Sequence, residues 1–506
     1  MSASFAMITL GCAKNEVDSN RMRALLVAAN YVEKDDPTDA DLVIVNTCAF
    51  ITAATEEAIA TILEAADLPR VKDYTSKLVV TGCLSSRYEH KAIANDSHKD
   101  TNTDNTSGDN NNDVLGMPLL APTSELEREL PEVSAFVSVA NEDNIVAIAN
   151  ALLNIQNAKA PNELQTDLGV SKFIRNNESD TMAKSSDFNL GVSGAQVARI
   201  VDAPWAYIKI ADGCSRRCSF CTIPAIRGPY RSFKADEILA EANFLVNGGV
   251  RELILIAQDT GLWHDKERGW NLAKLLDELA TLYKDTWIRV MYLQPQGVTQ
   301  ELLLVMQRHS NICNYLDIPL QHASPEILLQ MNRSGSGNEY LKLLAQIRDV
   351  LPDVSLRTTM IAGFPGETRL EAQASEKFID QAGFNYVGVF EYSQEEGTKA
   401  AALTKQVPKK TAMARAQRLR DIADVHGFAQ SEELVGKTLD VLVCGICEEG
   451  FYGRTQGMAP EVDGLLYIIN DDKKSVDAAE PKFKIGDIIV VQVTQSVLYE
   501  LYGIVQ

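Results

Sequence analysis

Over the first 87 residues, short apolar runs alternate with stretches whose apolar positions recur at helical spacing. The runs are "FAMITL", "DLVIVN" and "KLVVTG", and between them lie "DSNRMRALLVAANY" and "TEEAIATILEAA". This rhythm predicts a doubly wound α/β domain, a parallel sheet covered by helices. From residue 205 the alternation returns over a longer course, with six strand candidates: "WAYIKI", "ELILIAQ", "WIRVMYL", "YLDIPLQ", "SLRTTMIAGF" and "YVGVFEYS". Helical stretches such as "ADEILAEANFLVNGG" and "GNEYLKLLAQIRDVL" lie between most of them. Six β/α units predict a partial (β/α)6 barrel, short of the usual eight, that works at its strand C-termini. Beyond about residue 434 the runs "TLDVLVCGI", "GLLYII", "DIIVVQVTQ" and "YELYGIV" are punctuated by Gly and Asp turns. They predict a small antiparallel β-barrel.

Two polar tracts divide this pattern. Residues 95 to 113, "NDSHKDTNTDNTSGDNNND", contain no apolar side chain, so a disordered insertion is expected over about 91–113. Residues 156–199 read as a polar linker. The expected domains are therefore 1–155, 200–432 and 433–506, all of the α/β class except the last. A length of 506 residues requires several such cores, and 45% apolar with 23% charged residues is ordinary globular composition. No apolar run approaches the ~18 residues of a membrane span, and the start lacks the features of a signal peptide. A cytoplasmic protein is expected, in which thiols stay reduced and clustered cysteines serve metal or catalysis. The net charge of −21 works against bulk attraction to phosphate and suits a basic protein partner.

The chemistry lies in the cysteines. Each of the first three strand candidates runs into a thiol, at Cys12, Cys48 and Cys83, with separations of 36 and 35 residues. Ligands gather beyond the carboxyl ends of parallel strands, so the three can converge on one point. After the first barrel strand stands "DGCSRRCSFCTIP", which sets Cys214, Cys218 and Cys221 in a C-x3-C-x2-C loop at the working face. Three thiolates can hold three irons of a [4Fe–4S] cluster and leave the fourth open. Zinc is the alternative, but it favours paired C-x2-C spacings and no second pair lies nearby.

C-x3-C-x-F-C after the first strand of a partial barrel resembles the radical S-adenosylmethionine superfamily. The resemblance implies S-adenosylmethionine at the open iron and Phe220 against its adenine. The motifs "LGCAKNEVDSNRM", "NTCAF", "TGCLSSRY", "CTIPAIRGPYRS", "GFPGET" and "YSQEEGT" carry it over nearly the whole chain. With the three N-terminal cysteines and the last barrel, they resemble the methylthiotransferases. Membership implies a second [4Fe–4S] cluster on Cys12, Cys48 and Cys83, and a TRAM-like C-terminal domain. It also implies a reduced electron donor and a sulfur donor as partners, with a further S-adenosylmethionine supplying the methyl group. "LGCAKNEVDS", "AQDTG", "YLDIPLQHAS", "DGC" and "APEVDG" resemble the branch that modifies the β-carbon of an aspartate in the twelfth protein of the small ribosomal subunit. Gln294 and Pro295 depart from that branch, which usually has Tyr-Pro there.

From Leu434 onward six cations face eleven anions, a balance that suits a basic protein better than transfer RNA. Two readings stand against the favoured one: the same chemistry on a transfer RNA adenosine, and a zinc-stabilised ribosome-binding module without catalysis. Gln258 and Asp259, ending the second barrel strand, are candidates for cofactor or substrate contact, or for an ordinary turn cap. Gly363 of "GFPGET" permits close backbone approach, and the resemblance sets its strand end beside the adenosyl group. His322 is read as a structural hydrogen-bonder or a cofactor contact. Cys313, Cys444 and Cys447 are read as packing residues.

Overall fold

The computed structural model describes residues 2–88, 126–155, 199–448, 450–469 and 483–506. The expected insertion at 91–113 and all but the last residue of the expected 156–199 linker lie outside the described residues. The chain forms two compact units. One comprises Met1–Ile200 with Thr222–Pro229, and the other Val201–Cys221 with Tyr230–Gln506.

In the first unit, strands β1 (Ser4–Thr9), β2 (Val32–Glu33), β3 (Leu42–Thr47), β4 (Lys77–Gly82) and β5 (Ala135–Ser138) form one parallel sheet ordered β2-β1-β3-β4-β5. Alternation along β3 divides its side chains between two layers. Val43 and Val45 pack with Ala58, Ile62 and Ala65 of α2 (Thr52–Ala66). Leu42 and Ile44 pack with Met22 and Leu26 of α1 (Ala13–Ala28) and with Ile145 and Ala149 of α3 (Ile145–Leu152). Each Val, Leu, Ile or Met among them, taken fully out of water, contributes roughly 1.5–3 kcal/mol. The strand order reverses between β1 and β3, the place where ligands collect in doubly wound sheets.

The second unit begins with six parallel strands: β6 (Trp205–Lys209), β7 (Glu252–Ile256), β8 (Trp287–Val290), β9 (Tyr315–Asp317), β10 (Ser355–Ala362) and β11 (Tyr386–Glu391). They pair as two three-stranded sheets, β8-β7-β6 and β9-β10-β11, which gives the partial barrel its six staves. The outward side chains Ile208, Leu253 and Leu255 pack with Ile238, Leu245, Leu275 and Leu279 of the surrounding helices.

Strands β12 (Thr438–Cys447), β13 (Gly450–Arg454), β14 (Leu466–Ile469), β15 (Ile488–Val497) and β16 (Glu500–Val505) close a separate small barrel. Its order is β12-β13-β14-β16-β15, and β14 runs parallel to β16 rather than antiparallel. A closed ring with an odd number of strands cannot alternate direction throughout, so one parallel pair is a topological necessity. The segment Arg454–Asp463 of this barrel docks on the N-terminal ends of the large barrel's strands. Glu252, at the start of β7, is wholly buried between Arg289 Nε at 2.7 Å and Arg454 Nη2 at 2.5 Å. Asp463 accepts from Tyr315 Oη at 2.8 Å and from the Ala459 amide at 2.8 Å, with Arg357 Nε 3.4 Å away. Burial pushes the Glu252 carboxyl up, but the two guanidiniums outweigh it and hold it below its ordinary range. "APEVDG" is thus part of the plug at the end of the barrel opposite the strand C-termini.

Candidate functional site

The first thiol site grows from the strand order of the N-terminal unit. Cys12 caps α1 just beyond β1, Cys48 follows β3 directly, and Cys83 follows β4 and opens the helical turn 83–88. Gly11 has φ of +98°, and a Cβ there would stand 2.6 Å from Cys48 Cβ, so only glycine brings β1's exit this close to β3's. The sulfurs of Cys12 and Cys83 lie 3.9 Å and 3.8 Å from one atom, Asn15 Oδ1. The Cys83 thiol donates to the Cys48 sulfur, which lowers Cys48 and holds Cys83 well above the ordinary thiol range. The nearby Arg227 guanidinium favours the thiolate at both.

The polar face of α1 completes this site. Asn15 donates Nδ2–H to the Thr47 carbonyl at 2.7 Å and accepts Arg227 Nη2–H at 2.9 Å. Asp18 pairs with Arg227 at 3.2 Å, and Ser19 accepts from Asn46 Nδ2 at 2.9 Å. Sequence reasoning missed Asn15, Asp18 and Arg227 as site residues. For the first two a signal existed: polar side chains at positions 15, 18 and 19 stand at one-turn spacing on a single helix face, and all three are buried.

The second site sits at the strand C-termini of the large barrel. Cys214 is buried, Cys218 and Cys221 are half-buried, and none of the nine cysteines is in a disulfide. Burial pushes the Cys214 thiol up. Their loop is pinned from several sides. The Ser219 amide donates to the Met331 carbonyl at 3.0 Å, and Ser219 Oγ–H to the Gln330 carbonyl at 2.7 Å. Asn332 Nδ2–H reaches the Arg217 carbonyl at 2.8 Å, and Arg333 Nη1 stands 4.0 Å from Cys218 Sγ. Phe220 is half-buried against the barrel core. Gln258 donates to Asp212 at 3.2 Å, and among the described residues its buried Oε1 has no partner, nor has Gln294 Oε1. Asp259 is wholly buried and ion-paired with Arg216, yet burial keeps its carboxyl above the usual range.

Gly363 has a packing explanation. Its φ is +79°, a Cβ would strike Ala412 Cβ at 2.3 Å, and its amide donates to Glu367 Oε2 at 2.5 Å. Glu367 also receives the Phe364 amide at 3.1 Å and Arg415 Nη1 at 3.1 Å, so "GFPGET" is a turn clipped by its own carboxylate. His322 is buried, with Nδ1 accepting the Ser324 amide at 3.0 Å. Cys313 is buried behind Arg289, its thiol pushed up to about 12 by desolvation. Cys444 is buried and Cys447 half-buried along β12.

The donor chemistry of both sites fits an iron–sulfur cluster. Among the described residues no three His, Cys, Asp or Glu side chains close on one point as a mononuclear ion requires. A cubane asks instead for one thiolate per iron, and each triad supplies three thiols, the first at three neighbouring strand ends and the second on one loop.

Comparison with known proteins gives three family matches: Uncharacterized protein family UPF0004 over residues 4–103, Radical SAM superfamily over 208–379, and TRAM domain over 435–505. Relatives named ribosomal protein uS12 methylthiotransferase RimO match end to end. That of Natranaerobius thermophilus is 36% identical, covering 98% of this chain and 98% of its own length. That of Clostridioides difficile is 35% identical at the same coverage. That of Geobacter sulfurreducens is 35% identical, covering 98% of this chain and 97% of its own. With thiol sites at strand ends in both units and identity sustained along 98% of the chain, this chain belongs to the ribosomal protein uS12 methylthiotransferase family.

Proposed function

We propose that the protein is a radical S-adenosylmethionine enzyme that methylthiolates the β-carbon of an aspartate in ribosomal protein uS12. The observation that carries the proposal is that the N-terminal unit holds its own thiol triad, with Cys12 and Cys83 on Asn15 Oδ1 and Cys48 beside Cys83, while the Cys214 loop belongs to the other unit. A single radical site would need only the second triad. In this reading Cys214, Cys218 and Cys221 hold one [4Fe–4S] cluster, and Cys12, Cys48 and Cys83 hold another. So loaded, the enzyme gains one-electron cleavage of S-adenosylmethionine at the barrel and sulfur delivery at the N-terminal site.

The chain's own residues supply position. Arg216, held by Asp259, fixes the C-x3-C loop against the end of β7. Gln258 and Gln294 offer buried acceptor oxygens at the barrel mouth for donors on the bound cofactor or substrate. Phe220 lends an apolar surface beside the cluster loop. Gly363 acts one step back, by letting the turn after β10 lie against Ala412. The division into an N-terminal cluster domain, a linker, a radical core and a TRAM barrel belongs to the same proposal. So do a cytoplasmic setting, a reduced electron donor and a separate sulfur donor.

The test is iron and sulfide analysis of anaerobically purified protein. Replacing Cys214, Cys218 and Cys221 by alanine is expected to leave about half the iron and abolish reductive cleavage of S-adenosylmethionine. Replacing Cys12, Cys48 and Cys83 is expected to leave that cleavage intact and stop methylthio transfer. Iron unchanged in the first variant, or transfer at the normal rate in the second, sinks the two-cluster assignment.

A further inference from the structure

We infer that Arg227 is the positioning and charge-balancing residue of the N-terminal thiol site, acting through Asn15 and Asp18. This rests on Cys12, Cys48 and Cys83 being cluster ligands. Arg227 stands 144 residues beyond Cys83 in the sequence, yet its side chain is only 2% exposed and lies within the N-terminal unit. Its neighbour Ile226 is buried in the apolar layer that holds Val43 and Val45. Thr222 Oγ1–H donates to the Phe50 carbonyl at 3.2 Å. The segment 222–229 is therefore fastened to the loop that follows Cys48.

The guanidinium uses its fork. Nη1 and Nη2 each reach Asp18 Oδ2 at 3.2 Å, while Nη2 also donates to Asn15 Oδ1 at 2.9 Å. A buried ion pair gives little net stability, because desolvation offsets the attraction. Its position beside three thiols gives it another use. The sulfurs of Cys12 and Cys83 face Asn15 Oδ1 at 3.9 Å and 3.8 Å, and as cluster ligands they are thiolates. Arg227 then holds that oxygen in place, with Nδ2 of the same amide fixed on the Thr47 carbonyl at 2.7 Å. It also sets one positive charge beside three negative ones in a low-dielectric pocket, where such a charge acts strongly. Lysine carries the charge but lacks the planar fork that reaches both partners.

The experiment uses the full-length chain with Cys214, Cys218 and Cys221 replaced by alanine, so that iron reports the N-terminal site alone. The reduction midpoint is followed by paramagnetic resonance, and iron retention by the rate of loss to a chelator. Arg227→Gln removes a positive charge and is expected to disfavour reduction about tenfold, ~59 mV more negative for one electron. Asp18→Asn leaves the guanidinium less neutralised and is expected to move the midpoint the opposite way. Arg227→Lys is expected to keep the midpoint near the parent's and to lose iron faster. An arginine with a merely structural role would not give midpoint shifts of opposite sign. Unchanged midpoints in Arg227→Gln and Asp18→Asn overturn the inference and leave the cluster reading standing, whereas a parent that holds no iron overturns both. If Arg227→Gln does not fold, an unchanged midpoint in Asp18→Asn is sufficient to overturn it.

Discussion

The imidazole of His322 is fixed by its neighbours. Its Nδ1 accepts the Ser324 amide at 3.0 Å, and its Nε2 lies 3.9 Å from Glu367. A second proton would have to sit on Nδ1, against that amide. Burial lowers the ring's pKa from 6.5 to about 4. With the folded value below the unfolded one, the stability of the neutral ring is present above about 6.5 and is lost as pH falls from there through about 4. Between pH 7 and 5 this costs about 2 kcal/mol. His322→Asn, which keeps an acceptor near the Ser324 amide, is expected to remove that part of the acid dependence. Denaturant unfolding of both proteins at the two pH values checks it, and parallel losses would refute the assignment. At this scale the six cysteines were conspicuous in the sequence, three directly after strand candidates and three in one C-x3-C-x2-C loop. Arg227 was not, because the contact that gives it meaning spans 212 residues to Asn15. Gly363 was legible as a required glycine, but the sequence did not contain its reason, Ala412 on a helix some fifty residues later.

Among the elements, the six barrel strands were readable because each is an apolar run bounded by turn residues, and a buried parallel strand leaves little else to see. The strand at Gly450–Arg454 was not anticipated, since "GFYGR" is short and holds two glycines, both poor strand formers. It is a strand because its neighbours impose it: a Cβ on Gly453 would meet the Leu442 carbonyl oxygen at 2.4 Å, so β12 and β13 pair only around a bare backbone. Its last residue, Arg454, joins Glu252 to the small barrel and also stacks over Trp205 with its guanidinium carbon 4.9 Å from the ring centroid. Removing Arg454 leaves Glu252 paired with Arg289 and takes away one buried hydrogen bond between charged groups, at a cost of about 1.5–3 kcal/mol. Arg454→Met is therefore expected to lower the unfolding free energy by that amount. It should also separate the melting of the small barrel from that of the large one, followed by proteolysis of the full chain. An unchanged midpoint with one cooperative transition would show that the network does not couple the two barrels.

For the whole molecule, charge is the property that bears on the substrate, and the structure changes how it is counted. Arg454 and Asp463 of the small barrel are buried against the large one, so neither is available to a partner. Among the described residues of that barrel, the remaining cations are Lys437 and Lys484, against Asp440, Glu448, Glu461, Asp487 and Glu500. Glu449, Asp471 and Asp472 lie outside the described residues. Asp440 and Glu448 are exposed, and their reversal tests attraction for a basic protein without touching the buried plug. If uS12 is drawn in by complementary charge, Asp440→Lys with Glu448→Lys is expected to slow its modification about threefold or more at low salt. The difference should shrink at high ionic strength, where exposed charges are screened. Cleavage of S-adenosylmethionine without substrate should not change if, as proposed, it depends on the Cys214 loop at the other end of the barrel strands. Any activity on transfer RNA should rise or hold, since phosphate binding gains from added cations. Both substrates are therefore assayed with both proteins at two salt concentrations. Equal rates on uS12 for wild type and variant at low salt would remove charge steering by this barrel from the account. Activity of the wild type on transfer RNA alone would replace the substrate while leaving both thiol sites their chemistry.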